Sequence, residues 1–218
     1  NTIKSYVVTP KSTNLIKIQA MKDYGAELIF CNSTIKSRED TFLEIQKKTG
    51  GIPIHPFNNY SVIAGAGTVG LELVNEIKNL DFVIVPVGGG GLISGVGVVV
   101  SKLLPKAKLI GAESEIANFG QKSLLSGKII PSNYPETIAD GLRSTLGDKP
   151  FLMVKKYVSE ILTATEIEIM KSLRFIWERM KIVVEPSCAV ALAVIIKNKD
   201  RFKDKNIGVI ISGGNVDL

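Results

Sequence analysis

The chain has 218 residues, 45% of them hydrophobic and 22% charged, a balance that excludes an intrinsically disordered chain and fits one large or two modest domains with a real core. Its 27 basic residues outnumber 21 acidic ones, for a net charge of +6, but the two signs are interspersed and only five of the basic residues are arginine, so no nucleic-acid partner is expected. Cys31 and Cys188 are the only cysteines, which excludes a disulfide scaffold, and no apolar run approaches the roughly 18 residues of a membrane span; the expectation is a cytoplasmic protein with no membrane partner.

Ser5–Val8 reads as a short buried strand, closed by Pro10. The periodicity of Leu15, Ile18 and Met21 predicts a helix over Leu15–Tyr24, with Asn14 as cap and Gly25 as stop. Glu27–Cys31 is a second strand, Ser37–Lys48 a second helix stopped by Gly50, and Ile52–His55 a third strand. Pro56–Tyr60 reads as a linker. The second module starts with a helix over Val62–Ile77, then the strand Phe82–Val87, the loop Gly88–Gly91, the helix Leu92–Leu104 and the strand Lys108–Ala112. A helix over Ala117–Ser126 precedes a turn-rich stretch from Gly127 to Gly147. Val158–Leu162 is a strand, Thr165–Lys181 a long helix carrying Trp177, Ser187–Lys199 a buried helix and Ile207–Ile211 a final strand. The reading is α/β, two parallel sheets covered by helices, with a small domain over residues 1–57 and a larger one over 58–218.

The strongest local feature is the run of four glycines, Gly88–Gly91, between an apolar strand and a helix. Four residues without side chains can turn sharply and aim backbone N–H groups at an anion, and the helix behind them adds positive partial charge. A tight turn selected for packing is the plainer reading, at an entropic cost that no ligand offsets. The run lacks the Lys-Ser/Thr pair of a nucleotide P-loop and departs from GxGxxG. Ser212, at the end of the last strand, either offers a hydroxyl to a ligand or leaves the sheet in a polar turn. Three acids stand out: Glu113 at a strand end, Asp140 before Gly141, and Glu185, which either faces a crevice or caps the following helix. His55 is the only histidine, which excludes a His-rich metal site, and no GxSxG accompanies it.

Gly88–Gly91, together with Val62-Ile63-Ala64-Gly65-Ala66-Gly67-Thr68, Thr137-Ile138-Ala139-Asp140-Gly141, Trp177-Glu178-Arg179-Met180-Lys181, Glu185-Pro186 and Ser212-Gly213-Gly214-Asn215, resembles the fold-type II pyridoxal-phosphate enzymes, in the branch of threonine/serine dehydratases and serine racemase. The resemblance implies a tryptophan-synthase-beta-like α/β fold and pyridoxal 5′-phosphate (PLP) as cofactor. Gly88, Gly89, Gly90, Gly91 and Leu92 would hold its phosphate, Gly141 would approach it through the backbone, and Ser212 would bond the pyridine nitrogen. A neutral hydroxyl there moderates the electron sink. Glu185 would lie at the ring and the reacting substrate as the catalytic residue. The implied activity is dehydration of L-serine or L-threonine to a 2-oxo acid and ammonia, with serine racemase as the alternative, and a non-catalytic PLP- or phosphate-binding module as a third reading.

The family's cofactor-anchoring lysine lies in a Ser-Phe-Lys-x-Arg-Gly type of motif, and none of the 22 lysines here has such a setting. The expectation is therefore a partial fold: a fragment of a larger enzyme that lacks the family's N-terminal third, inactive alone, from a parent that forms a homodimer or higher oligomer and takes a small amino-acid substrate. In animal-type racemases a divalent or monovalent cation would be held at the positions of Glu113 and the Ala117 carbonyl, but the third position is Phe119, which offers no oxygen ligand. Phe119 and Phe57 both lean the reading towards a dehydratase.

Overall fold

In the computed structural model, residues 3–217 are described. The chain forms two compact units, Asn1–Ile54 with Asn215–Leu218, and His55–Gly214.

The first unit holds β1 (Tyr6–Pro10), α1 (Leu15–Asp23), β2 (Glu27–Cys31) and α2 (Ile35–Thr49). Its strands pair in parallel, Tyr6 opposite Glu27 and Pro10 opposite Cys31. Asn14 caps α1 by accepting from the Ile16 N–H, and Gly50 ends α2 in the left-handed conformation. Ile52–His55 forms no strand, contrary to the sequence expectation. Pro53 and Pro56 remove ladder donors there, and Ile52 and Ile54 stay 88% and 69% exposed.

The second unit runs α3 (Tyr60–Glu76), β3 (Phe82–Pro86), α4 (Gly91–Leu103), β4 (Lys108–Ser114), α5 (Phe119–Ser126), α6 (Asp148–Tyr157), β5 (Glu160–Ala164), α7 (Glu166–Phe175), α8 (Pro186–Lys197), α9 (Lys199–Phe202) and β6 (Ile207–Val209), with short 3-10 turns at Glu115–Ala117 and Asp140–Leu142. α6 is a helix that sequence periodicity left unassigned. The long helix expected over Thr165–Lys181 stops at Phe175 and passes into a π-turn, Ile176–Met180, closed by Lys181 at φ +58°. Among the described residues no helix is long and apolar enough to cross a membrane.

The four strands form a parallel sheet in the order β5-β4-β3-β6. Alternation along β3 divides the core: Ile84 packs with α7 and α8, while Val83 and Val85 pack with α3, α4 and α6. The chain lays β4 and β5 to one side of β3 and returns to place β6 on the other. That reversal is where a parallel sheet opens a crevice at its carboxyl ends, between the loops that follow β3 and β6.

Candidate active site

β3 delivers the chain at Pro86 and Val87 into Gly88–Gly91. Gly90 takes φ +87°, a conformation that favours glycine, and α4 starts behind it with no side-chain cap. Gly90 and Gly91 are buried. Even so, the N–H groups of residues 89–92 donate to no protein acceptor among the described residues. Backbone donors left open at the N-terminus of a 13-residue helix, those of Gly90 and Gly91 buried, form a cup suited to an anion. The cup is tight. A Cβ on Gly89 would overlap the Phe57 ring, one on Gly90 would lie 2.7 Å from Leu146, and one on Gly88 would lie 2.9 Å from the Gly141 carbonyl oxygen.

The cup is the floor of a cleft of about 200 Å³ whose walls include Phe57, Gly88–Leu92, Gly141, Leu142, Glu185, Ser187 and Ser212. The structure therefore brings together residues 88–92, 141, 185 and 212, which the sequence singled out separately. Glu185 occupies the N-cap position of α8, ahead of Pro186, but its side chain makes no cap hydrogen bond. Its backbone N–H donates to the Gly213 carbonyl at 3.0 Å. Its carboxylate lies over Gly213, where a Cβ would come within 2.5 Å of Oε1. Ser212 follows β6, just beyond Ile210, whose N–H donates to Ile84 at 3.0 Å. No lysine lines this cleft.

Ser187 has no motif to mark it in the sequence. It is 3% exposed, its Oγ accepts the Gly141 N–H at 2.9 Å, and it donates to Asp140 at 3.4 Å. Cys188 is fully buried, its thiol facing the Glu185 and Gly213 carbonyls at 3.1 and 3.2 Å. Burial pushes that thiol's pKa up, away from reactivity. His55 accepts the Asn58 N–H on Nδ1 at 2.9 Å and so holds the turn before α3.

Glu113 does not line the cleft. It ends β4, is 1% exposed, and its two carboxylate oxygens accept the Gly120 and Gln121 N–H groups, each at 2.8 Å. Burial pushes its pKa up to about 8, against those two donors. Ala117 is buried in the neighbouring 3-10 turn, and Phe119 is 7% exposed at the start of α5. Among the described residues no three His, Cys, Asp or Glu side chains gather in a metal-binding group.

Residues 2–213 match the model of the family described as "Pyridoxal-phosphate dependent enzyme". The chain belongs to that family. It is 44% identical over 212 residues to a beta-hydroxyaspartate dehydratase of Paracoccus denitrificans, covering 97% of this chain and 67% of that one. A serine racemase of Dictyostelium discoideum is 43% identical over 221 residues, covering 99% and 68%. Its crystal structure superposes with a TM-score of 0.90 over 99% of this chain and 70% of that one. A threonine deaminase from T.th. superposes at 0.94 with 36% identity, over 99% and 71%. Other serine racemases match at 37–40% identity.

The family match corrects one expectation. The expectation was a fragment with a partial fold, whereas the family model covers residues 2–213, nearly the whole of this chain. The chain spans about two thirds of the length of the curated relatives it matches.

This PLP-dependent enzyme carries a cleft whose chemistry fits its cofactor. The open donors of residues 89–92 would suit a phosphate dianion, a side chain on Gly88, Gly89 or Gly90 would crowd that space, and the Ser212 hydroxyl would offer a neutral partner to a ring nitrogen. Bound there, PLP supplies the electron sink that makes an amino-acid Cα–H acidic.

Proposed function

We propose that this enzyme acts on L-serine and interconverts it with D-serine. The observation that carries the reading is the pairing, in one cleft, of the anion cup with a neutral hydroxyl, Ser212, and a single carboxylate, Glu185. A neutral partner at the ring nitrogen leaves the sink moderate. The fate of a proton at Cα then depends on the protein groups around it. In this reading residues 88–92 bind the phosphate, and Gly141 borders the cofactor through its backbone. Ser212 donates to or accepts from the ring nitrogen, and Glu185 orients the reacting end of the substrate. The serine racemases of Dictyostelium discoideum, Arabidopsis thaliana and Homo sapiens, 38–43% identical to this chain, support this choice.

A second reading is β-elimination, in which the substrate hydroxyl leaves as water and the product hydrolyses to a 2-oxo acid and ammonia. Phe57, whose ring covers Gly89, and the dehydratase at 44% identity favour it. The deciding experiment incubates the PLP-loaded protein with L-serine in D₂O. D-serine is followed by chiral chromatography and pyruvate by a coupled reductase. Racemisation predicts D-serine deuterated at Cα in excess of pyruvate. Pyruvate without D-serine would replace the first reading with the second.

A further inference from the structure

Three hydrogen bonds converge on Glu166, the first residue of α7. Oε1 accepts from the hydroxyls of Ser114 and Thr137, the latter at 2.8 Å, and Oε2 accepts the Ile138 N–H at 2.7 Å. One donor ends β4. The other two open the irregular segment that leads to Gly141. The usual duty of an acid at a helix start is already discharged, because Thr165 and Glu168 form a reciprocal capping box there. The Glu166 carboxylate instead reaches out of the helix to the loop.

The loop transmits that anchor. Thr137 is 1% exposed, and its Oγ1 also accepts the Ala139 N–H at 3.1 Å. The Arg143 guanidinium donates to the Thr137 carbonyl at 2.7 Å. Ala139 then accepts the Leu142 N–H at 2.9 Å, which tightens the turn. Gly141 lies within this turn, its N–H held by Ser187 and its carbonyl against Gly88.

We propose that Glu166 is a positioning residue for the cofactor site: it fixes Thr137–Gly141 so that Gly141 closes one side of the anion cup against Gly88. The inference rests on the cup being the phosphate site. Its test is read without substrate, so it is separate from the choice between racemisation and elimination. A carboxylate serves three donors, whereas an amide oxygen serves at most two and its NH₂ would face a donor.

The experiment is residue-resolved amide hydrogen exchange on the wild type, Glu166→Gln and Thr137→Val, with PLP and phosphate-free pyridoxal titrated into each. Both variants are expected to speed exchange at Ile138 and Gly141 about tenfold or more, with PLP affinity weakened about tenfold, the size expected for a lost hydrogen bond to a charged group. Pyridoxal affinity should change less, and the Ile169 N–H, which donates to the Thr165 carbonyl at 3.0 Å in the first turn of α7, should keep its protection. Wild-type exchange at Gly141, or wild-type PLP affinity alongside faster exchange, would overturn the proposal. Thr137→Val removes one hydroxyl at nearly constant volume and carries the test should Glu166→Gln fail to fold.

Discussion

The Gly141 N–H donates to the Ser187 hydroxyl at 2.9 Å across 46 positions of sequence. That bond joins the N-terminus of α8 to the wall of the anion cup. Ser187→Ala would leave the Gly141 donor without its acceptor beside a residue that is 3% exposed. The expected loss is about 1–3 kcal/mol of stability, read from urea unfolding, together with weaker PLP binding in a direct titration. Unchanged PLP affinity in a destabilised variant would confine Ser187 to a packing role.

Phe57 and Gly89 leave no room between them for a methyl group. Gly89→Ala is expected to weaken PLP binding at least tenfold by displacing the loop, and Phe57→Ala in the same chain should recover most of that loss. Contacting residues of this kind give non-additive pairs of about 0.5–3 kcal/mol in a double-mutant cycle. Strictly additive effects would mean that the ring does not set the loop's position.

Glu113 should make stability fall with pH. Its folded pKa of about 8 lies above the ordinary value of 4.5, so between those two values the folded protein holds a proton that the unfolded chain has released. Stability contributed by the protonated group is full below the lower value and is lost as pH rises towards 8. The urea midpoint is expected to decline across that window and to lose this decline in Glu113→Gln. A variant with the same pH profile as the wild type would show that the carboxyl is already ionised when folded.

Trp177 is the only tryptophan and donates from Nε1 to the Val184 carbonyl at 2.9 Å, one residue before Glu185. Trp177→Phe is expected to cost about 1 kcal/mol in thermal unfolding. In the wild type, PLP should quench the indole emission, because the bond ties the indole to the segment that carries Glu185. Full emission at saturating PLP would argue against that coupling.

The parts of the site legible in the sequence are those written locally. A strand, four glycines and a helix state the cup within ten residues, and Ser212 and Glu185 each sit at the boundary of an element that periodicity finds. What the sequence hid is built from separations no pattern records: Glu166 meets Thr137 across 29 positions and Ser114 across 52. At Ile52–His55 the β-favouring isoleucines are outweighed by Pro53 within the segment and Pro56 just after it. α6 escaped notice because its periodicity follows directly on a turn-rich stretch. The absence of a familiar lysine motif points the sequence reading to a partial fold, whereas the family match runs over residues 2–213, nearly the whole of this chain.

The placement of β6 beside β3 also bears on how the chain reaches this state. The Asn206 N–H bonds the Asp81 carboxylate across 125 positions, and Asp81 returns its own N–H to the Asn206 carbonyl at 2.8 Å. Until that late segment arrives, β3 has one neighbour and a bare apolar edge, an invitation to pair with another nascent chain. Emergence from the ribosome thus exposes the most apolar strand of the sheet first and covers it last, so the step that completes the crevice is also the one that ends the hazard of aggregation.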